Sequence, residues 1–228
     1  MSDDIVSGLI VEFKTIVRER FLTRSTLEVL LLFLAVYLGW DAYALVYPYV
    51  GRWSINVLPW FLKLPMMSYH FEYSLVSWTA SHRLIHALLR KVYSLGFSGE
   101  ILLTFFYLLL RSPRDARLLV KRYAVAMLVL ALSFITFHVY APHVVYRLPE
   151  RYAPGDWTAR PEFVLPSPHN TLATVSFVTL LDRGGKGALP LLIFIALIPP
   201  ATVLLGEHWV WDAVTGILIG FLVSRYVR

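Results

Sequence analysis

Gly206-Glu207-His208-Trp209-Val210-Trp211-Asp212 opens the last apolar stretch of the chain, and its reading decides the rest. His208 and Asp212 are four residues apart, so a helix starting here carries both on one face. They fall at the end of a segment apolar enough to cross a bilayer, where an ionisable group is costly and marks a functional site by default. A carboxylate at that spacing accepts a hydrogen bond from one imidazole nitrogen, fixes the tautomer, and aims the other lone pair outward. That arrangement serves a general base or a nucleophile. The plain alternative is a polar pair that only packs two helices together.

A second histidine stands in Pro166-Ser167-Pro168-His169, at the head of an earlier apolar stretch. Serine as N-cap with proline at the first helical position is a helix start, which accounts for Ser167 and Pro168 but not for His169. The free N–H groups of such an N-terminus attract anions, and a histidine there can protonate a departing oxygen. The loop before it carries Arg147, Arg151 and Arg160 among Glu150, Asp156 and Glu162. A solvated mixed-charge loop explains any one of these arginines. Guanidinium forks also match phosphate oxygens, so Arg147, Arg151, Arg160 and Ser167 are the candidate substrate-binding residues beside the candidate catalytic set His208, His169 and Asp212.

The 228 residues are 57% hydrophobic and 16% charged, with a mean hydropathy of +0.62. A soluble domain is about 45–50% apolar and about 25% charged, so the expectation is one membrane-embedded domain over 27–228, preceded by an N-terminal segment 1–26. The net charge of +6 bears on orientation and on anionic lipid rather than on nucleic acid, since no basic stretch interleaves aromatics for base stacking. The absence of cysteine excludes thiol catalysis, cysteine metal sites and disulfides. Asp3 and Asp4 stand where a signal peptide would be basic.

Residues 4–24 read as an amphipathic helix on a membrane surface, 27–47 as a span, 48–70 as an irregular interfacial segment broken by Pro48, Gly51, Pro59 and Pro65, and 71–95 as an interfacial helix. Residues 99–111 span if their helix begins near Tyr93. Arg111, Arg114, Arg117, Lys121 and Arg122 follow, against Asp115 alone, which is the signature of a cytoplasmic loop. Spans at 123–146, 167–182, 188–205 and 209–224 complete an all-α, polytopic bundle of six transmembrane helices. Both termini are then cytoplasmic, and both histidines face the extracytoplasmic side of the cell membrane. Arg52, Lys63, Arg83, Arg90 and Lys91, against Glu72, oppose that orientation.

A nucleophilic histidine, a second histidine, a helix N-terminus and arginines on one side of a membrane suit a phosphate ester whose tail lies in lipid. His208 attacks phosphorus and His169 protonates the departing oxygen. The arginines and helix dipole neutralise the phosphate, so neither metal nor cofactor is required. The two imidazoles are expected to meet across a cavity wide enough for one phosphate.

At these residues the chain resembles the type 2 phosphatidic acid phosphatase superfamily, which has six spans, a Pro-Ser-x-His motif opening the fourth and a His-x-x-x-Asp motif opening the sixth. Pro166-Ser167-Pro168-His169 and His208 with Asp212 match in order, spacing and position, over about residues 72–226. Gly206, His208, Trp209, Asp212, Ala213 and Gly216 are further similar to the branch containing inositol phosphorylceramide synthases. The resemblance implies that His208 is the nucleophile and His169 the acid. Ala153 stands where that family has a lysine ahead of Arg160-Pro161, and Ala201-Thr202 replaces its Ser-Arg pair. Arg147-Leu148 fits the arginine position of the synthase-like branch. Hydrolysis of a lipid or isoprenoid (di)phosphate is the first expectation, and transfer of a phospho-headgroup to an alcohol the second. A non-enzymatic transporter or scaffold is the third, and it requires the histidines to lie far apart.

Overall fold

The structure, a computed structural model, describes residues 23–148 and 162–228. The expected N-terminal amphipathic helix lies outside the described residues apart from its last few positions. Helix α1 (Arg24–Val50) begins on Thr23, whose hydroxyl accepts from the Thr26 N–H, so the expected boundary at residue 26 falls in its first turn. A 3-10 turn and strand β1 (Ile55–Asn56) follow, then the short helix α2 (Leu58–Phe61). Helices α3 (Tyr69–Ser81), α4 (Arg83–Leu95), α5 (Ser98–Arg111) and α6 (Pro113–Thr136) lead to β2 (Phe137–His138) and the short α7 (Pro142–Val145). Beyond residue 161 come α8 (Pro168–Arg183), α9 (Leu189–Ala196), α10 (Ile198–Leu204) and α11 (Val210–Tyr226).

The protein is mostly helical, as its sequence suggests. Among the described residues, three segments are long and apolar enough to cross a membrane: Arg24–Trp53, Pro113–Thr136 and Lys186–Leu204. The pair α4 and α5, bent by 63°, makes a fourth if counted as one span. Helices α8 and α11, expected as spans, have 16 and 17 residues, short of the roughly 20 a bilayer asks for. Leu31, Leu38 and Leu45 on α1, Leu128 and Leu132 on α6, and Leu218 and Phe221 on α11 are exposed. A continuous apolar exterior of that kind is stable in hydrocarbon and not in water.

Side-chain ties fix the directions of the helices. Glu28 pairs with Arg117 at 2.9 Å near one end of α1 and α6, and the Tyr47 hydroxyl donates to the Phe134 carbonyl at 3.3 Å near the other. The two helices therefore run parallel. So do α8 and α11: the Ser167 N–H donates to the Asp212 carbonyl at their starts, while near their ends Arg122 donates to the Thr179 hydroxyl and the Val227 carbonyl. Beyond Tyr47 and Phe134, β1 and β2 pair in parallel, Ile55 with Phe137 and Asn56 with His138, which ties the irregular segment after α1 to the end of α6.

Helix α11 lies closest to α8. A Cβ added at Gly216 would stand 2.6 Å from the Ser167 carbonyl, and one at Gly220 2.4 Å from that of Thr171. Gly216 and Gly220 form a Gly-x-x-x-Gly stripe that lets the two helix backbones touch. This contact aligns the starts of the two helices, where the histidines are.

Candidate active site

Ser167 caps α8: its hydroxyl accepts from the Asn170 N–H at 3.3 Å and from the Asn170 side chain at 2.9 Å. Pro168 needs no N–H at the first helical position. His169 then stands on the first turn, 6% exposed. Helix α10 ends in a reversal at Gly206, whose φ of 72° suits a residue without a side chain. There the Thr202 carbonyl accepts from both Glu207 and His208 N–H groups, at 3.1 and 3.0 Å. The Thr202 hydroxyl also accepts from Asn170 at 3.1 Å, so one threonine fastens this turn to α8. Thr202 is one of the two residues that replace the Ser-Arg pair of the resembled family.

The chain thus delivers His208 opposite His169. His208 Nε2 lies 3.4 Å from His169 Nδ1, and its Nδ1 lies 3.3 Å from Asp212 Oδ2. The same Asp212 oxygen accepts the Trp209 N–H at 3.1 Å, which holds the carboxylate across the first turn of α11. His208 is 3% exposed and Asp212 fully buried. Burial pushes the His208 pKa down to about 3, against a backbone hydrogen bond with Val164. The ring is therefore neutral at neutral pH, the form that has a lone pair to give.

The third expectation requires the two histidines to lie far apart, and they do not. Nor, among the described residues, do the rings meet across an open cavity. An attacking nitrogen stands about 3 Å from its target before reaction, and the acid must reach the leaving oxygen over about another 3 Å. A 3.4 Å gap holds no phosphate, so the rings must part for one to enter. His169 is flanked by Tyr93, stacked at 5.0 Å between centroids, and by Phe97 at 5.1 Å. These are the groups that would have to yield.

The substrate-binding expectations fare unevenly. Ser167 is fully buried, with its oxygen engaged by Asn170. Arg147 is exposed on the turn after α7, with φ 50°. Its neighbour Leu148 is buried and donates its N–H to the His143 carbonyl. Arg151 and Arg160 lie outside the described residues. Among the described residues, no group of three or more His, Cys, Asp or Glu side chains could hold a metal ion.

Sequence reasoning passed over a second polar layer. Glu207 is 5% exposed and accepts from the Tyr93 hydroxyl at 3.4 Å, with His143 Nδ1 at 3.6 Å from the same oxygen. His143 also touches the Gly206 carbonyl at 3.1 Å. Burial lowers the His143 pKa, and the nearby His208 adds to this. Its signal was present in the sequence: Pro142-His143 opens a helix just as Pro168-His169 does. Glu72 on α3 is fully buried, with neither carboxyl oxygen hydrogen-bonded. Burial, with Asp212 adding, pushes its pKa up to about 8. No family model, no curated protein and no solved structure matches this chain.

Proposed function

We propose that the chain is a membrane-embedded lipid phosphate phosphatase of the type 2 phosphatidic acid phosphatase kind, acting through a phosphohistidine on a lipid phosphate or isoprenoid (di)phosphate. The observation that carries the reading is the contact of His208 Nε2 with His169 Nδ1, two residues 39 positions apart, with Asp212 on the far nitrogen of His208. His208 Nε2 forms a bond to phosphorus as the bond to the lipid oxygen breaks, and that oxygen takes a proton from His169. Water then attacks phosphorus, gives its proton to His169, and releases inorganic phosphate as the N–P bond breaks. Asp212 keeps the His208 proton on Nδ1 and stabilises the ring as it becomes cationic. Of the arginines, Arg147 is the described candidate for the phosphate charge. In this reading α8 and α11 complete a six-span bundle in spite of their length, and the site faces the extracytoplasmic side with both termini cytoplasmic.

One observation favours transfer over hydrolysis. With His208 and His169 3% and 6% exposed, water has little access, and an alcohol entering from the lipid competes well for the phosphohistidine or its phosphodiester counterpart. Incubation with lipids labelled in the phosphate separates the two outcomes: free phosphate for the phosphatase, a new labelled phosphate ester of the added alcohol for the transferase. Both give acid-labile label on the protein. His208→Ala is expected to lose that label and all turnover while remaining folded in detergent. Label or turnover retained in that variant would remove His208 from the mechanism.

A further inference from the structure

Helix α4 is divided lengthwise into three faces. Leu89, Val92 and Tyr93 are buried against the bundle, and the helix packs there on α10. Leu84, Leu88 and Leu95 form an apolar strip beside that face and are exposed, Leu84 at 88%. On the remaining arc stand Arg83, Arg90 and Lys91, all exposed, and no ion pair among the described residues involves them. Protein on one side, an uncovered leucine strip on the next and cations on the third describe a helix lying in a bilayer interface. Two further observations agree. On the preceding helix α3, Tyr69, Tyr73 and Trp78 are exposed, the residue types that settle at headgroup level. Helix α5 runs down to the far end, where the Tyr107 hydroxyl meets the Gly184 carbonyl at 2.7 Å. Helix α4 turns from it by 63°, as a chain does on leaving the hydrocarbon.

We propose that the Arg83–Arg90–Lys91 edge of α4 is a binding surface for the headgroups of anionic phospholipids, with the Leu84–Leu88–Leu95 strip set among their acyl chains. The occupant follows from charge complementarity. Three unpaired cations border an apolar strip, and an anionic lipid supplies a negative group and a hydrocarbon tail at that same separation. The surface does not depend on the catalytic reading, but it adjoins the same residues, because Tyr93 on the buried face of α4 stacks on His169.

The test uses the full chain, delipidated in a neutral detergent and titrated with phosphatidylglycerol or phosphatidylcholine, the bound lipids being counted by native mass spectrometry. The wild type is expected to retain phosphatidylglycerol in preference. Arg83→Gln/Arg90→Gln/Lys91→Gln should lose about fivefold of that preference per cation, the equivalent of ~1 kcal/mol each. Arg83→Lys/Arg90→Lys keeps the charge and should restore it, which separates a folding defect from a binding one. Equal retention of the two lipids by the wild type would overturn the proposal, as would an unchanged preference in the glutamine variant. So would a dimer that the glutamine variant abolishes, since the partner would then be a second copy of the chain.

Discussion

At the scale of single residues, the site rests on buried ionisable groups. Asp212 has two duties on one oxygen, the Trp209 N–H and the His208 ring. Asn at 212 can still set its amide oxygen against both donors, but it is neutral and cannot balance the charge that the His208 ring acquires as it becomes cationic. Asp212→Asn is therefore expected to lower turnover by as much as about 10⁴-fold, the size of the effect where an orienting carboxylate of a serine hydrolase is changed in this way. Its thermal stability should stay close to that of the wild type, and parallel melting and turnover measurements check both. Glu72 makes the opposite prediction. Its carboxyl has a pKa of about 8 when folded against the ordinary 4.5, so between those values the folded protein holds a proton that the unfolded chain has released. Stability then falls as the pH rises from 4.5 to 8, by up to a few kcal/mol. Glu72→Gln is expected to flatten that dependence and to melt higher than the wild type at pH 8. A melting temperature that rises with pH in the wild type would show that Glu72 is ionised and paired.

At the scale of elements, what the sequence declared depended on whether the signal was local. The starts of α8 and α11 were legible, because a serine cap, a proline and a His-x-x-x-Asp spacing are all read within a few residues of one another. The helical class and the helix over Arg83–Leu95 were legible from composition and periodicity. Two features were not. Tyr93 against His169 and Glu207 against His143 join positions 76 and 64 apart along the chain, and no spacing rule reaches that far. The closed contact of the two rings depends on side-chain packing that a sequence does not state. The Gly216-x-x-x-Gly220 stripe is a local signal too, since in an apolar helix it announces a close helix–helix contact. Its removal has graded consequences. Gly216→Ala and Gly220→Ala each force a methyl group into a backbone carbonyl of α8, so each is expected to cost about 1–3 kcal/mol in a detergent melt. Gly216→Ala strikes Ser167, two residues before His169. Since a misplacement of about 1 Å costs on the order of 10²-fold in rate, its activity should fall much further than that of Gly220→Ala. Equal activity losses would mean that the helix pair moves as one body and does not tilt at the site.

At the scale of the whole molecule, the parallel pairs α1 with α6 and α8 with α11 give the bundle two unlike ends. One gathers the histidines, β1 and β2, and α4. The other gathers Arg111, Arg114, Arg117, Arg183, Lys186, Arg225 and Arg228, with Glu28, Asp115 and Asp182 as the acids among them. Excess lysine and arginine near the ends of spans marks the cytoplasmic side, and the proposed orientation, with the second end inside, rests on that rule. The first end also carries Arg52, Lys63, Arg83, Arg90 and Lys91, which weakens the contrast. If α4 lies on lipid, however, its three cations answer to headgroups rather than to the rule for short loops. The chain contains no cysteine, so single thiols can be placed without first removing any. Lys63→Cys and Lys186→Cys replace exposed residues at the two ends. In intact cells a membrane-impermeant maleimide is expected to label the first, and to reach the second only after permeabilisation. The reverse pattern would turn the molecule over and put the site in the cytoplasm. Labelling of both from one side would mean that the short helices α8 and α11 do not cross, and that the bundle enters the bilayer from one face only.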